Sequence, residues 1–187
     1  MFERFTKDAR EVVQGAFEHG ERAGARSVGA EYLLLALLDR EASRASFALA
    51  ALGLAERKAS VRESLAEARR RAGLSRAEAD ALAGLGIDVS EIVSRVEEAH
   101  GVGAMSGDRQ DRSWWSGRRS FGRDARDVLE GALRVAVARR DRHIGDEHLL
   151  LALTVRPGVP AEVLADHGVT FESLTRVLYG DGEAKAG

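Results

Sequence analysis

Cysteine is absent from the 187 residues, which excludes disulfides, thiol catalysis and thiolate metal sites. Proline occurs only twice, at Pro157 and Pro160, while Ala, Leu, Arg and Glu dominate, a composition that favours helix throughout. No stretch alternates apolar and polar residues for long enough to suggest a sheet. Charge of one sign is missing too: a net charge of -2 gives no global pull toward nucleic acid or anionic membrane. The apolar runs fall far short of the ~20 residues that span a bilayer. The N-terminus, MFERFTKDAR, is charged at once and lacks the apolar core of a signal peptide. These absences together read as a soluble cytoplasmic protein.

Motifs for common chemistries are missing as well. A Walker-type phosphate loop needs Lys directly after Gly, and Lys7, Lys58 and Lys185 follow Thr, Arg and Ala. There is no Gly-x-Ser-x-Gly elbow and no His-Glu-x-x-His. No nucleophile–base constellation supports a hydrolase, so no catalytic residue and no cofactor is assigned.

What is present is an internal repeat. Sliding the chain by 116 positions lays Val28–Leu37, VGAEYLLLAL, on Ile144–Leu153, IGDEHLLLAL. The match runs back without a gap to Phe5 and Phe121, with identities at Asp8/Asp124, Ala9/Ala125, Arg10/Arg126, Val12/Val128, Gly15/Gly131, Gly29/Gly145 and Glu31/Glu147. One supersecondary unit is therefore used twice, and the copies are expected to pack on each other. A hydrophobic share of 44% suffices for one compact domain, or for two lobes sharing a core.

Taken in order, Thr6 caps a first helix to about Ala23, with Ala9, Val12, Val13, Ala16 and Phe17 on one stripe. Phe2 and Phe5 are expected to fold back on its first turns as a hydrophobic staple. A helix from about Glu31 is apolar on nearly every side and belongs at the centre of the fold. Helices over 42–52 and 56–72 complete the first copy, residues 1–74. An inserted helical pair follows at 75–100, where LAGLGIDVSEIVSRV resembles LADHGVTFESLTRVL of Leu164–Leu178. Residues 101–120, rich in Gly, Ser and charge, read as a flexible linker. The second copy occupies 121–180, with Pro160 in the first turn of its third helix. Residues 181–187 are expected to fray.

Several polar groups are candidates for function. His143, Asp146, Glu147 and His148 cluster locally, but Glu147 and His148 are adjacent on a helix, about 100° apart, so no metal site is assigned. Glu31 and Glu147 are kept in both copies. As structure, each is an acid in a helix's first turn, gaining ~0.3–1 kcal/mol from the dipole. As function, each is a carboxylate that grips a guanidinium, with helix N–H groups nearby for an anion. Arg10 and Arg126 read either as surface arginines over aromatic neighbours or as the lining of a groove between the two first helices.

FERFTKDAREVV, VGAEYLLLAL, FGRDARDVLEGAL and HIGDEHLLLAL together resemble the double repeat of the N-terminal domain of Clp ATPases, nearest to the ClpC type. The resemblance covers both copies, and it implies an all-α fold of two pseudo-symmetric four-helix lobes that binds substrates, adaptors or small ligands for a protease machine. Without the AAA+ modules, the chain resembles a stand-alone N-domain. ClpC-type domains recognise phosphorylated arginine, which implies a site at Glu31 and Glu147 with Thr6. Here Ala30 and Asp146 replace the family's Thr, and Tyr32 replaces its first His. An Asp beside a bound phosphate would repel it. Cyclic-peptide antibiotics occupy an inter-repeat groove in actinobacterial members, and its pattern falls on Phe2, Arg10, Val13, Phe121, Arg126, Leu129 and Glu130. Arg126 stands where the family has Lys.

The resulting expectation is a non-catalytic, monomeric binding protein, an adaptor or a decoy for a ClpC-type ATPase. Its partners would be Clp protease components, substrates or adaptors, phosphoarginine, or a cyclic-peptide antibiotic. The alternative is a helical DNA-binding regulator using the linker, where Arg109, Arg112, Arg118 and Arg119 flank Trp114 and Trp115. Asp108 and Asp111 dilute that charge, and salt-dependent retardation of duplex DNA would be its test.

Overall fold

The computed structural model describes residues 2–71, 74, 76–100 and 120–180. The first copy contains α1 (Lys7–Arg22), α2 (Ala30–Asp39), α3 (Arg44–Ala51) and α4 (Lys58–Arg70). The inserted pair is α5 (Arg76–Gly84) and α6 (Val89–His100). The second copy contains α7 (Arg123–Ala138), α8 (Asp146–Val155), α9 (Val159–Asp166) and α10 (Phe171–Tyr179). Helices α1 and α7, and likewise α2 and α8, begin and end at positions related by the same offset of 116. The expected all-α fold of two repeated lobes is the observed one.

Capping starts the helices where the sequence says. Thr6 Oγ1 accepts the Ala9 N–H at 3.2 Å, and Ser43 and Thr170 form reciprocal caps with Ser46 and Ser173. Helices α2 and α8 are the centre of the fold. Leu33, Leu34, Leu37 and Leu38 of α2 and Leu149, Leu150, Leu151 and Leu153 of α8 are almost completely buried. Each such side chain contributes roughly 1.5–3 kcal/mol relative to exposure. Close approach of the outer helices is set by a repeated glycine. A Cβ on Gly15 would lie 3.1 Å from the Ala36 Cβ, and one on Gly131 would lie 3.2 Å from the Ala152 Cβ. The pairs Gly15–Ala36 and Gly131–Ala152 therefore let α1 press on α2, and α7 on α8, in the same way.

The lobes are stitched by backbone, which departs from the expectation of no sheet. Strand β1 (Ser27–Val28) pairs in parallel with β2 (Ser120–Phe121), and Phe5 forms a parallel bridge to Ile144. Phe5 and Phe121 are equivalent positions, as are Val28 and Ile144, so each lead-in pairs with the other copy's loop. Strands of two residues leave no alternation to detect. Phe5 is thus buried, with its backbone paired across the repeat boundary. Ser120, assigned to the linker from sequence, belongs to β2, and the rest of that linker and the tail at 181–187 lie outside the described residues.

The inserted pair is a third use of the helix–glycine–helix hairpin. Leu54 N–H bonds Leu49 O, Ile87 N–H bonds Leu82 O and Val169 N–H bonds Leu164 O, at 2.8, 3.0 and 2.8 Å. The intervening Gly53, Gly86 and Gly168 all have φ between 74° and 79°, which is why the resemblance between 82–96 and 164–178 is structural.

Candidate functional site

A concavity lined by charged and polar residues lies between the copies. It encloses about 250 Å³ and is lined by Thr6 and Asp8 of α1's start, Arg44 of α3, and Asp141 to His148 around the start of α8. Two of the three residues assigned to the phosphoarginine-type site, Thr6 and Glu147, meet here. Glu31 is at the start of α2, at the pseudo-symmetric position, where Gly122 replaces Thr6 in the repeat register.

Glu147 is a buried acid of the cleft, only 3% exposed. Its carboxylate folds back over Gly145 and accepts its own backbone N–H, one of the unpaired donors at the start of α8. Glu31 folds back over Gly29 in the same manner, and a Cβ at either glycine would collide with the carboxylate. The repeated Gly-x-Glu spacing therefore encodes a carboxylate tucked under its own helix start. Arg44 Nη1 donates to Glu147 Oε1 at 2.7 Å, joining the first repeat to the second. Burial holds the Glu147 carboxyl above the usual carboxylate range, and the pull of its own N–H and of Arg44 does not reverse this. The Arg44 guanidinium also lies 5.6 Å from the centre of the Tyr179 ring, against which Arg139 packs at 3.2 Å.

The neighbours of Glu147 have structural partners. Asp146 is 2% exposed and accepts the Ala45 N–H at 3.1 Å, capping α3 from the other repeat. His148 is 1% exposed, and its Nδ1 accepts the Gly145 N–H at 2.9 Å. Its proton is therefore on Nε2, donated to Asp141 at 2.9 Å. Asp8 accepts from Arg40 at 2.9 Å. At the pseudo-symmetric place, Asp124 accepts the Ala30 N–H at 2.7 Å, so the first repeat's central helix is also capped from the other copy. Sequence reading missed Arg44, Asp124 and the role of Asp146. Their partners lie about a hundred positions away, beyond the reach of any local pattern.

The groove residues are dispersed more widely. Arg10 and Arg126 are exposed, and each Nε donates to the carbonyl four residues back, Thr6 and Gly122, at 3.4 Å. Val13 and Phe121 are half-buried, with the Phe121 ring centre 4.7 Å from that of Phe17 on α1. Leu129 is 3% exposed and so belongs to the core, while Glu130 is exposed and paired with Arg134. Phe2 lies in a short 3-10 turn, Phe2–Arg4, before Phe5. The Arg/Trp segment of the DNA-binding alternative lies outside the described residues. No described helix is long and apolar enough to cross a membrane.

Comparison with known proteins agrees with the repeat. The Clp repeat (R) N-terminal domain family matches residues 4–73 and 120–185. The chain is 29% identical over 175 residues to an "ATP-dependent Clp protease ATP-binding subunit ClpA homolog" of Cyanidium caldarium. That alignment covers 93% of this chain and 16% of the relative, so the chain spans about a sixth of its length. Among solved structures, one titled "Preliminary structural investigations of a malarial protein secretion system" aligns over 94% of this chain and 92% of its own, with a TM-score of 0.50 and 10% identity. The N-terminal domain of the caseinolytic protease associated chaperone ClpD from Arabidopsis thaliana aligns over 95% and 96%, with a TM-score of 0.49 and 19% identity. At 10% identity the likeness to the first of these bears on fold alone. The chain resembles the substrate- and adaptor-binding domain of Clp ATPases. With both repeats matched and most of the chain covered, it belongs to the Clp repeat N-terminal domain family.

Proposed function

We propose that this chain is a non-catalytic capture module for proteins handled by a Clp machine, and that the captured group is a guanidinium, as on an arginine-phosphorylated substrate or adaptor. The observation that carries this reading is the Arg44–Glu147 pair: a guanidinium bonded to a buried carboxylate at 2.7 Å inside a polar cleft. A carboxylate held by its own helix N–H is preorganised, so gripping a guanidinium demands little rearrangement. Thr6 on the rim uses its Oγ1 lone pair for Ala9 and leaves the hydroxyl proton to donate to a phosphoryl oxygen. Arg142 adds a cationic partner on the same wall. Asp8, Asp141 and Asp146 are each bonded to donors of this chain, which offsets their repulsion of an anion.

Calorimetric titration with free phosphoarginine tests the reading on wild type, Glu31→Ala, Glu147→Ala and the double variant. Binding that the double variant loses supports it; absence of binding to every form removes it. Delivery and decoy roles differ in sign: adding the protein to a ClpC-type ATPase and its protease speeds degradation of a marked substrate in the first case and slows it in the second.

A second reading places a cyclic peptide between α1 and α7. It is supported by the matched poses of Arg10 and Arg126, each exposed and bonded through Nε to the carbonyl four residues back in its own copy. Loss of cyclic-peptide binding in Arg10→Ala/Arg126→Ala, with phosphoarginine binding kept, would separate the two sites.

A further inference from the structure

The two copies of the carboxylate site are built unequally. Arg44 opens α3 and crosses the repeat boundary to Glu147. In the second repeat, α9 opens with Val159 and Pro160, so no arginine is offered from the equivalent turn toward α2. The Arg44 guanidinium is not part of the repeated design; it belongs to the Glu147 cleft alone.

The burial of the two partners differs as well. The Glu147 side chain is 4% exposed and the Arg44 side chain 54%. The acid is fixed by its helix start and by Gly145, while the arginine reaches it from solvent on a long flexible stem. Such a pair separates by movement of the arginine. Its charge and fork-shaped donor set are those of the group the cleft is proposed to take.

We propose that Arg44 is a resident, displaceable occupant of the Glu147 cleft, an internal arginine that an incoming guanidinium must push aside. This rests on the reading of the cleft as a guanidinium site. It makes Arg44 a specificity-determining residue. A plain guanidinium gains only what the departing Arg44 loses. A phosphorylated guanidinium also brings an anion that the released Arg44 and the Thr6 hydroxyl meet, so the phosphate separates a marked arginine from an ordinary one. The apparent affinity of the cleft is lowered by the fraction of time Arg44 occupies it.

The experiment uses the full chain in a Glu31→Ala background, so that binding reports on Glu147. Phosphoarginine and free arginine are titrated calorimetrically into this chain and into versions that also carry Arg44→Gln or Arg44→Ala. Gln keeps a donor for the buried carboxylate should Ala unfold the protein, and circular dichroism checks folding. The expected result is a gain of about fivefold or more in affinity for free arginine once Arg44 is replaced. For phosphoarginine the gain should be smaller, so its preference over arginine narrows. Adding Glu147→Ala should erase both gains. Unchanged or weaker arginine binding in folded Arg44 variants overturns the proposal. If the single Glu147→Ala variant, with Glu31 intact, binds phosphoarginine while Arg44 replacement changes nothing in the Glu31→Ala chain, only this inference falls. If no variant binds either ligand, the functional reading falls with it.

Discussion

Phe5 forms a parallel backbone bridge to Ile144, so the residue that introduces the first repeat is held by the loop of the second. Thr6 N–H to Ile144 O at 2.9 Å and Ile144 N–H to Arg4 O at 2.8 Å make the join, and the Phe5 side chain is 3% exposed. Truncating it leaves a cavity on the seam between the repeats. Phe5→Ala should cost about 3–5 kcal/mol in urea unfolding and should do so without splitting the transition into two. A loss below about 1 kcal/mol would mean that the seam does not bear on stability.

Gly131 touches Ala152 so closely that any larger side chain must push α7 away from α8. Gly131→Val should destabilise by about 1–3 kcal/mol, and Gly15→Val by a similar amount because Ala36 stands in the same place. Unfolding midpoints measured for both variants check the equality as well as the size.

Gly145 serves the cleft in a different way. Its φ of -90° and ψ of 172° suit any residue, but an added methyl would collide with the Glu147 carboxylate. Gly145→Ala should therefore leave the fold in place and move the carboxylate from its N–H, weakening phosphoarginine binding at Glu147 about tenfold. Binding equal to wild type would show that the tucked carboxylate is not the acceptor.

Arg140 ends α7 with φ of 61°, at the position where the first repeat has Gly24 with φ of 65°. Both make the same closing bonds: Ala25 N–H to Gly20 O and Asp141 N–H to Ala136 O, each 2.9 Å. A side chain is disfavoured in that left-handed conformation, so Arg140→Gly should stabilise the protein by about 0.5–1 kcal/mol. The unfolding midpoint reads this directly, and a lower midpoint would refute it.

Asp39 tests the electrostatics. Burial alone would raise its carboxyl, but hydrogen bonds from Arg62 and His19, both at 2.6 Å, hold it below its ordinary value. An acid with a lowered folded value stabilises the fold at pH above its unfolded value, and the contribution is lost as pH falls through the folded value. Subtracting the Asp39→Asn stability curve from the wild-type curve should leave a term that is flat near neutrality and declines in acid. A difference that grows as pH falls would contradict the pairing.

The sequence made the helices legible because helix period and caps are local. Thr6 marks the start of α1, and the 116-residue offset carried α1 and α2 onto α7 and α8. The site was half legible. Glu31 and Glu147 stood out because both copies keep them, yet Arg44 and Ala45 lie 103 and 101 positions from Glu147 and Asp146, beyond any local pattern. Asp146 read from sequence as an obstacle to phosphate, but its oxygen caps α3. The glycine two residues before each glutamate leaves room for the carboxylate, which no local pattern reveals.

The most direct test of the central claim is a map of where phosphoarginine lands. Amide resonances of the full chain should be followed by two-dimensional NMR as the ligand is added. The account predicts shifts at Gly29–Tyr32 or Gly145–His148, with those of the second set enlarged by Arg44→Gln. Shifts confined to the α1/α7 groove around Arg10 and Arg126, or none at saturating ligand, would contradict it.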